Sequence, residues 1–407
     1  MLIANMVILL LIAACAAYQF LKGNFVKAFA TIILAICASI IALSYFEMLA
    51  GLLAGQSESL APWSQLISFV LLLVLSFAVL QTLLMQLARQ PIDLGLWPER
   101  IGRVACGIML GLIASGILLT AVAMAPLPSK YPYQRFAPRN LNPDDPAKPL
   151  FNPDGFVMGW VAVASKGSLA GKKSFAVMHP SFLNELFLNR LAPAADVSAL
   201  TSSAAIDVER EKAVWYAPQG VADTEGQQVP AKSGYTLVIA RIGFLKNALK
   251  DAGQFTLSQL RLVCKPTTGP ANPLAGKGEN VYPIGYMKSQ NQVQRKKLSD
   301  QIGIQRDKVQ GRVQWIDFAF YVPTYSVPVL AQFKLNNAVR LPPPVPADEA
   351  PAPVSFTESS VSRNDTTTRR QPSGADSAES TRQRDSSRRR RGLSPPSRSI
   401  LGDEFDE

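Results

Sequence analysis

Histidine and cysteine are scarce in this chain, and their scarcity excludes several kinds of chemistry. His179 is the only histidine. Three of the four cysteines lie in apolar stretches, Cys264 is alone in the rest of the chain, and no CxxC pair exists. This spacing predicts neither a disulfide framework nor a zinc or redox site. The GxSxG and HExxH motifs are absent too. The sequence therefore predicts a protein that is not an enzyme and that holds no metal and no cofactor.

Charged residues are also few, at 17% of the chain, whereas about 25% is usual in a soluble protein. The deficit is concentrated in residues 1–127. Nearly the whole net charge of +11 comes from residues 128–341. Because a basic surface attracts anions, we expect this part to bind an anionic envelope component or a partner protein, and we do not expect it to bind nucleic acid.

Long apolar runs dominate the first third of the chain. They cover residues 2–21, about 28–54, about 63–88 and 104–126. A helix rises 1.5 Å per residue and a hydrocarbon core is about 30 Å thick, so each run can cross a lipid bilayer. No Lys or Arg precedes the first run, which argues against a cleaved signal peptide. Residues 1–127 are therefore predicted to form four transmembrane helices.

Basic residues mark two of the three connections between these runs. The first connection holds Lys22 and Lys27, the third holds Arg89, Arg100 and Arg103, and the second holds none. The positive-inside rule assigns the first and third connections to the cytoplasm. An even number of crossings then returns the chain to the opposite side, so we expect the residues after 127 to be extracytoplasmic.

Two features inside the apolar runs are candidate functional sites. Gly107 and Gly111 form a GxxxG pattern, which Ser115 continues at the same spacing. Small residues at this spacing predict a close helix-packing interface, either between copies in a homo-oligomer or within one four-helix bundle. Glu47 is the carboxylate that lies deep in an apolar run, and an intramembrane ionisable residue is a functional candidate by default.

Residues 1–127 resemble the colicin V production (CvpA) family. The resemblance is carried by residues 18–27 (YQFLKGNFVK) and by residues 94–103 (LGLWPERIGR), which lead into Gly107 and Gly111. Asn5 stands where an aspartate is common in that family. The resemblance implies a bacterial inner-membrane protein with a role in toxin production or export, or in envelope homeostasis. Some relatives carry a serine protease after the fourth helix, but the motifs of a protease are not found here.

The residues after 127 divide into four segments by composition. Dense prolines in residues 128–154 predict an extended tether, and residues 155–234 predict a mixed helical and loop segment. Period-two alternation in residues 235–341 predicts a β-rich, immunoglobulin-like sandwich. Residues 342–407 are rich in Arg, Ser and Pro and predict a disordered tail. His179 precedes Pro180 and an amphipathic run, a position that predicts a helix-capping residue.

The preferred functional hypothesis is a non-enzymatic membrane protein that anchors a basic, β-rich binding domain outside the cytoplasm. A second hypothesis makes the helices a pore or export component that the outer domain gates, with Glu47 in the path. A third hypothesis, an extracytoplasmic hydrolase, would need a serine and lysine pair, for which the sequence shows no specific spacing.

Overall fold

The computed structural model describes residues 1–56, 60–87, 95–137, 141–166, 173–191, 197–201, 203–270 and 272–358. Four long helices come first, and each is long and apolar enough to cross a membrane. They are α1 (Leu2–Lys22), α2 (Phe25–Gln56), α3 (Ser64–Leu87) and α4 (Leu96–Met124). The predicted set of four apolar helices is therefore confirmed.

Local sequence explains where two of these helices start and stop. The Asn24 side chain accepts a hydrogen bond of 3.0 Å from the Val26 amide, so it satisfies one of the donors left open at the start of α2. At the other end of the bundle, α4 stops just before Pro126, which cannot donate a backbone hydrogen bond. In the packed bundle α1 lies mainly against α4, and α2 lies mainly against α3.

The GxxxG glycines of α4 face α1 of the same chain. A Cβ built on Gly107 would lie 2.6 Å from the Cα of Ala16, and one built on Gly111 would lie 2.5 Å from the Cα of Ile12. The Ser115 hydroxyl donates to the Gly111 carbonyl at 2.7 Å within α4. Hydrogen in place of a side chain thus allows the two backbones to touch, as small residues do in membrane bundles.

We expect Gly107→Leu and Gly111→Leu to destabilise the bundle itself. A leucine there must displace the backbone of α1, and overpacking of this kind costs about 1–3 kcal/mol or more. The measurement is the thermal midpoint of the purified protein in detergent. Gly55→Leu is the matched control, because no atom lies within 4 Å of a Cβ built on Gly55. Equal midpoints for Gly107→Leu and Gly55→Leu would contradict the packing described above.

Three shorter helices follow the bundle: α5 (Pro153–Lys166), α6 (Phe175–Met178) and α7 (Phe182–Asn189). Apolar side chains of α7 share one core with the ends of α2 and α4, and Phe46 and Phe182 are in edge contact at 5.7 Å between ring centroids. The bundle and the region that follows it are therefore packed together through buried apolar surface.

The proline-rich segment predicted as a tether is packed against these helices. Tyr133 is buried and its hydroxyl pairs with Asp154 at the start of α5. Arg135 donates to the Tyr133 hydroxyl and to Asn184 of α7, both at 2.7 Å. Arg190 donates to the carbonyl groups of residues 125, 127 and 131 at 3.1–3.2 Å. These hydrogen bonds hold the segment against α5 and α7. Its composition alone predicted an extended tether.

The β-rich region is confirmed, and thirteen strands lie in its described residues. They are β1 (Ile206–Asp207), β2 (Val214–Tyr216), β3 (Ala222–Asp223), β4 (Tyr235–Leu245), β5 (Gln254–Thr256), β6 (Leu260–Pro266), β7 (Glu279–Val281), β8 (Pro283–Ser289), β9 (Gln292–Arg295), β10 (Gln301–Gly303), β11 (Val313–Pro323), β12 (Ser326–Phe333) and β13 (Asn337–Arg340). A single-turn helix, α8 (Leu249–Ala252), lies between β4 and β5.

Two larger sheets pack around one core. The first has the order β1-β4-β11-β8-β9-β3, with β2 also paired to β4, and the second has the order β13-β12-β6-β7. The β3–β9 pair is parallel and the other pairs of these sheets are antiparallel. Strands β5 and β10 pair with each other. Phe244 of the first sheet stacks on Phe255 at 4.9 Å and meets Phe333 of the second sheet at 5.2 Å, measured between ring centroids.

The first sheet extends beyond the predicted limits of 235–341 in both directions. Strands β1 and β2, from the segment predicted as helix and loop, pair with β4. After residue 341, the Val345 amide donates to the Val214 carbonyl at 2.9 Å, and Phe356 is buried in the core between the sheets. Residues 342–358 are therefore packed, and the rest of the predicted tail, 359–407, lies outside the described residues.

Candidate functional site

A chain of polar side chains connects the membrane bundle to the second sheet. Glu47 comes from α2, His179 from the turn between α6 and α7, and Glu185 from α7. Arg261 lies on β6 and Asn280 on β7. Each is hydrogen-bonded to at least one of the others, so three parts of the chain that are distant in sequence meet at this point: α2, the α6–α7 region and the β6–β7 pair.

His179 lies at the centre of this chain. Its Nδ1 is 2.7 Å from Glu185 Oε2, and its Nε2 is 2.8 Å from Glu47 Oε1. Ionised carboxylates only accept hydrogen bonds, so a ring that carries a proton on both nitrogens satisfies both contacts. The rings of Phe175 and Phe182 flank the imidazole, each with its centroid 5.1 Å away. The arrangement therefore suits an imidazolium held between two carboxylates.

Glu185 is fully buried and is satisfied by donors from several directions. Its side chain is 0% exposed. Arg261 donates to Oε2 at 3.0 Å, and Asn280 donates to Oε1 at 2.7 Å. The backbone amide of Ser181, which precedes α7, donates to Oε1 at 3.3 Å. A buried carboxylate with this many donors is held as an anion.

The pKa shifts follow from this geometry. Burial disfavours the charged form of His179, but Glu47 and Glu185 outweigh burial and raise the pKa of His179 to about 9. Burial would likewise raise the pKa of Glu185, but Arg261, His179 and Asn280 outweigh it and lower the pKa of Glu185 to about 2. Glu185 and Arg261 thus form a buried pair of opposite charge, and a charge can be buried when it is paired and hydrogen-bonded in this way.

A recess lies beside this chain. It is a small cleft, partly open to solvent, and its lining residues include Glu47, His179, Arg261, Gln332 and Lys334. The Arg261 Nε and the Gln332 Oε1 are buried and make no hydrogen bond within the described residues. Polar atoms of this kind are commonly satisfied by ordered water.

Neither a family model, nor a curated protein, nor a solved structure is significantly similar to this chain. The resemblance to the CvpA family therefore stays a prediction. Nor do the described residues contain a group of three or more His, Cys, Asp or Glu side chains that could hold a metal ion.

The structure separates the candidate residues of the sequence into three places. Glu47 belongs to the polar chain, whereas Gly107, Gly111 and Ser115 lie within the bundle, as described above. The basic residues of the first and third connections are at the bundle end opposite Glu47, near the end of α1 and the starts of α2 and α4. They are Lys22, Lys27, Arg100 and Arg103; Arg89 lies outside the described residues.

His179, Glu185, Arg261 and Asn280 were missed as a site. The helix-capping role predicted for His179 is wrong, because the residue at the start of α7 is Ser181 and both ring nitrogens of His179 bind carboxylates. Arg261 alternates with apolar residues in β6, a pattern that predicts exposure to water. It is 1% exposed because α6 and α7 cover that face of the sheet. One signal was present: the only histidine precedes a helix that carries a single carboxylate among apolar residues.

Proposed function

We propose that this chain is a non-enzymatic, CvpA-like protein of a bacterial inner membrane. In this proposal α1–α4 span the bilayer and hold the basic, β-rich region against its extracytoplasmic face. That region binds an anionic envelope component or a partner protein, and the family resemblance implies a role in toxin production or export or in envelope homeostasis. An immunoglobulin-like description of the region is part of the proposal, supported by two sheets that pack around one core.

The observation that carries the proposal is the chain from Glu47 to Arg261. A buried ion-pair network loses several kcal/mol when one partner is removed, so it holds its elements in a single arrangement. Here it joins a membrane-spanning helix to the β-rich region through His179. Such a connection suits a protein that presents a domain at a fixed position on the membrane surface.

The geometry of His179 also supports a non-enzymatic role. A catalytic histidine needs one ring nitrogen that can take a proton from a nucleophile. Both nitrogens of His179 are occupied by carboxylates, and its side chain is 4% exposed. This residue is therefore poorly placed for the hydrolase hypothesis.

One observation favours the second hypothesis, a pore or export component. Glu47 is the intramembrane carboxylate of α2, and it is bonded directly to the region that would act as the gate. If the helices conduct ions, Glu47→Gln would change the flux of protein reconstituted into vesicles. Equal flux from the variant, the unaltered protein and empty vesicles would remove this alternative.

Topology tests the orientation on which the proposal depends. We expect alkaline phosphatase to be active when it is fused after Gln56 or after Pro126 and inactive when it is fused after Lys22. The expectation follows from the positive-inside rule, since the first connection holds Lys22 and Lys27 and the second connection holds no basic residue. Activity after Lys22, with none at the other two sites, would place the β-rich region in the cytoplasm and overturn the proposal.

A further inference from the structure

Helix α5 starts beside the last third of α4, below the end of that helix. A Cβ built on Gly116 of α4 would lie 2.2 Å from the Pro153 carbonyl oxygen, so the start of α5 touches α4 at Gly116. Gly116 is eight residues before the end of α4 at Met124, and eight residues correspond to about 12 Å along the helix axis. Val157 of α5 packs in one cluster with Ala35 of α2 and Ile113 of α4.

The face of α5 that points away from the bundle is apolar. Trp160 is 47% exposed and Val163 is 64% exposed, and the neighbouring Gly159 is exposed as well. A surface helix in water carries polar residues on its exposed face, whereas a helix that is apolar all round is buried in protein or in a membrane. Lys166, at the end of α5 nearest the β-rich region, is the exposed charged residue of that face.

The turn before α5 is also suited to lipid. Phe151 has a φ of 59° and is 63% exposed, so the chain reverses with an aromatic ring at the tip. Two backbone amides of this turn are satisfied inside the protein: the Leu150 amide donates to Asn5 Oδ1 of α1 at 3.0 Å, and the Asn152 amide donates to the Pro149 carbonyl at 3.0 Å. Irregular backbone at membrane depth requires such partners.

The charge at the start of α5 is neutralised within the protein. Asp154 is 1% exposed, is hydrogen-bonded to the Tyr133 hydroxyl and lies 3.9 Å from Arg135 Nη1. The outer surface from Phe151 to Val163 therefore presents no charge, although the segment contains a carboxylate. Paired and inward-facing charges are the form in which membranes tolerate them.

We propose that α5 is a re-entrant helix whose exposed face contacts lipid acyl chains in the leaflet nearer the β-rich region. The chain leaves the bilayer after α4, returns to the level of Gly116 at Pro153, and rises again along α5. The partner of the surface formed by Phe151, Trp160 and Val163 is thus the lipid hydrocarbon. The inference rests on the membrane role proposed for α1–α4, but not on which side of the membrane the β-rich region occupies.

The test uses Trp160 as a fluorescent reporter in the full chain. The other four tryptophans are changed to phenylalanine, and the protein is reconstituted in vesicles of phosphatidylcholine with brominated acyl chains. We expect the bromolipid to quench Trp160 strongly and aqueous iodide to leave it unchanged. The matched control keeps only Trp215, which is 4% exposed in the β-rich region, and we expect no quenching of it by bromolipid. Quenching of Trp160 by iodide but not by bromolipid would overturn the proposal.

A second measurement leaves all tryptophans in place. Val163→Cys and Tyr325→Cys are each introduced into a chain whose four native cysteines are changed to alanine, and each is labelled with a membrane-impermeant maleimide, first in vesicles and then in detergent. Both positions are exposed in the chain, at 64% and 58%. We expect Tyr325→Cys to react in both media and Val163→Cys to react only in detergent. Equal reaction of the two in vesicles would show that α5 lies in water, whatever the phosphatase fusions report about orientation.

Discussion

Glu185→Gln is expected to lower the free energy of unfolding by about 3–5 kcal/mol, because removing one partner of a buried ion pair leaves the others unpaired. Glutamine keeps the size of the side chain but removes the negative charge that faces both Arg261 and His179. The amide group of the glutamine would also turn a hydrogen toward a hydrogen-bond donor at a position where the carboxylate oxygen accepts. Chemical denaturation of the purified protein in detergent, followed by near-ultraviolet circular dichroism, measures the change.

Glu349→Gln is the matched control for this variant. Glu349 is 52% exposed and lies 3.7 Å from Lys212, which is itself half exposed. Exposed pairs of this kind contribute about 0–1 kcal/mol, so the control is expected to unfold close to the unaltered protein. If the two variants lost the same stability, the network at His179 would not hold the bundle and the β-rich region together.

The second large effect is a loss of stability at alkaline pH. The pKa of His179 is raised in the folded protein to about 9, from an ordinary value of about 6.5 in an unfolded chain. The stabilisation that protonated His179 gives to the folded protein is therefore complete below pH 6.5 and disappears as the pH rises through 9. A shift of this size corresponds to about 3 kcal/mol. The thermal midpoint in detergent, measured from pH 6 to pH 10, reports it.

His179→Gln provides the control for the pH profile. Because His179 is the only histidine, no other imidazole can produce a slope in this range. The variant should be less stable at pH 6 and should lose little more between pH 6.5 and 9. Glu185 affects stability at acidic pH. The stabilisation that its carboxylate gives to the folded protein is present above pH 4.5 and is lost as the pH falls toward 2. An unaltered protein that is equally stable at pH 6.5 and pH 9 would refute the assignment.

The sequence was sufficient for the bundle because membrane helices are specified locally. Each apolar run had to be long enough to cross a bilayer, and that condition can be checked without knowing any tertiary contact. The long strands were predicted for a similar reason, since β4 and β11 combine β-branched and aromatic residues over eleven positions each. The predicted limits of the β-rich region differ from the observed ones where strands pair with residues far away in the sequence. Strand β2 has three residues and depends on β4 for its hydrogen bonds.

The site was only partly predictable because its partners are far apart in the chain. Glu47 could be identified as a carboxylate in an apolar helix, but its partner His179 is 132 residues away. Arg261 could be interpreted only once the layer above β6 was known. A half-exposed strand and a strand covered by helices can share the same alternation of residues, and the covering layer decides whether a charged side chain meets water or a buried carboxylate.

The segment after β13 affects how the β-rich region can be separated from the rest of the chain. The Arg241 guanidinium binds Asp317 at 2.7 and 3.0 Å across neighbouring strands and also donates to the Ala352 carbonyl at 2.6 Å. Lys296 and Tyr286 bind the Glu358 carboxylate, both at 3.1 Å. A fragment that stopped at residue 341 would lose these hydrogen bonds. It would also lose the Phe356 ring, which is buried in the core between the two sheets. The smallest fragment that could fold as the β-rich region alone therefore has to run through Glu358.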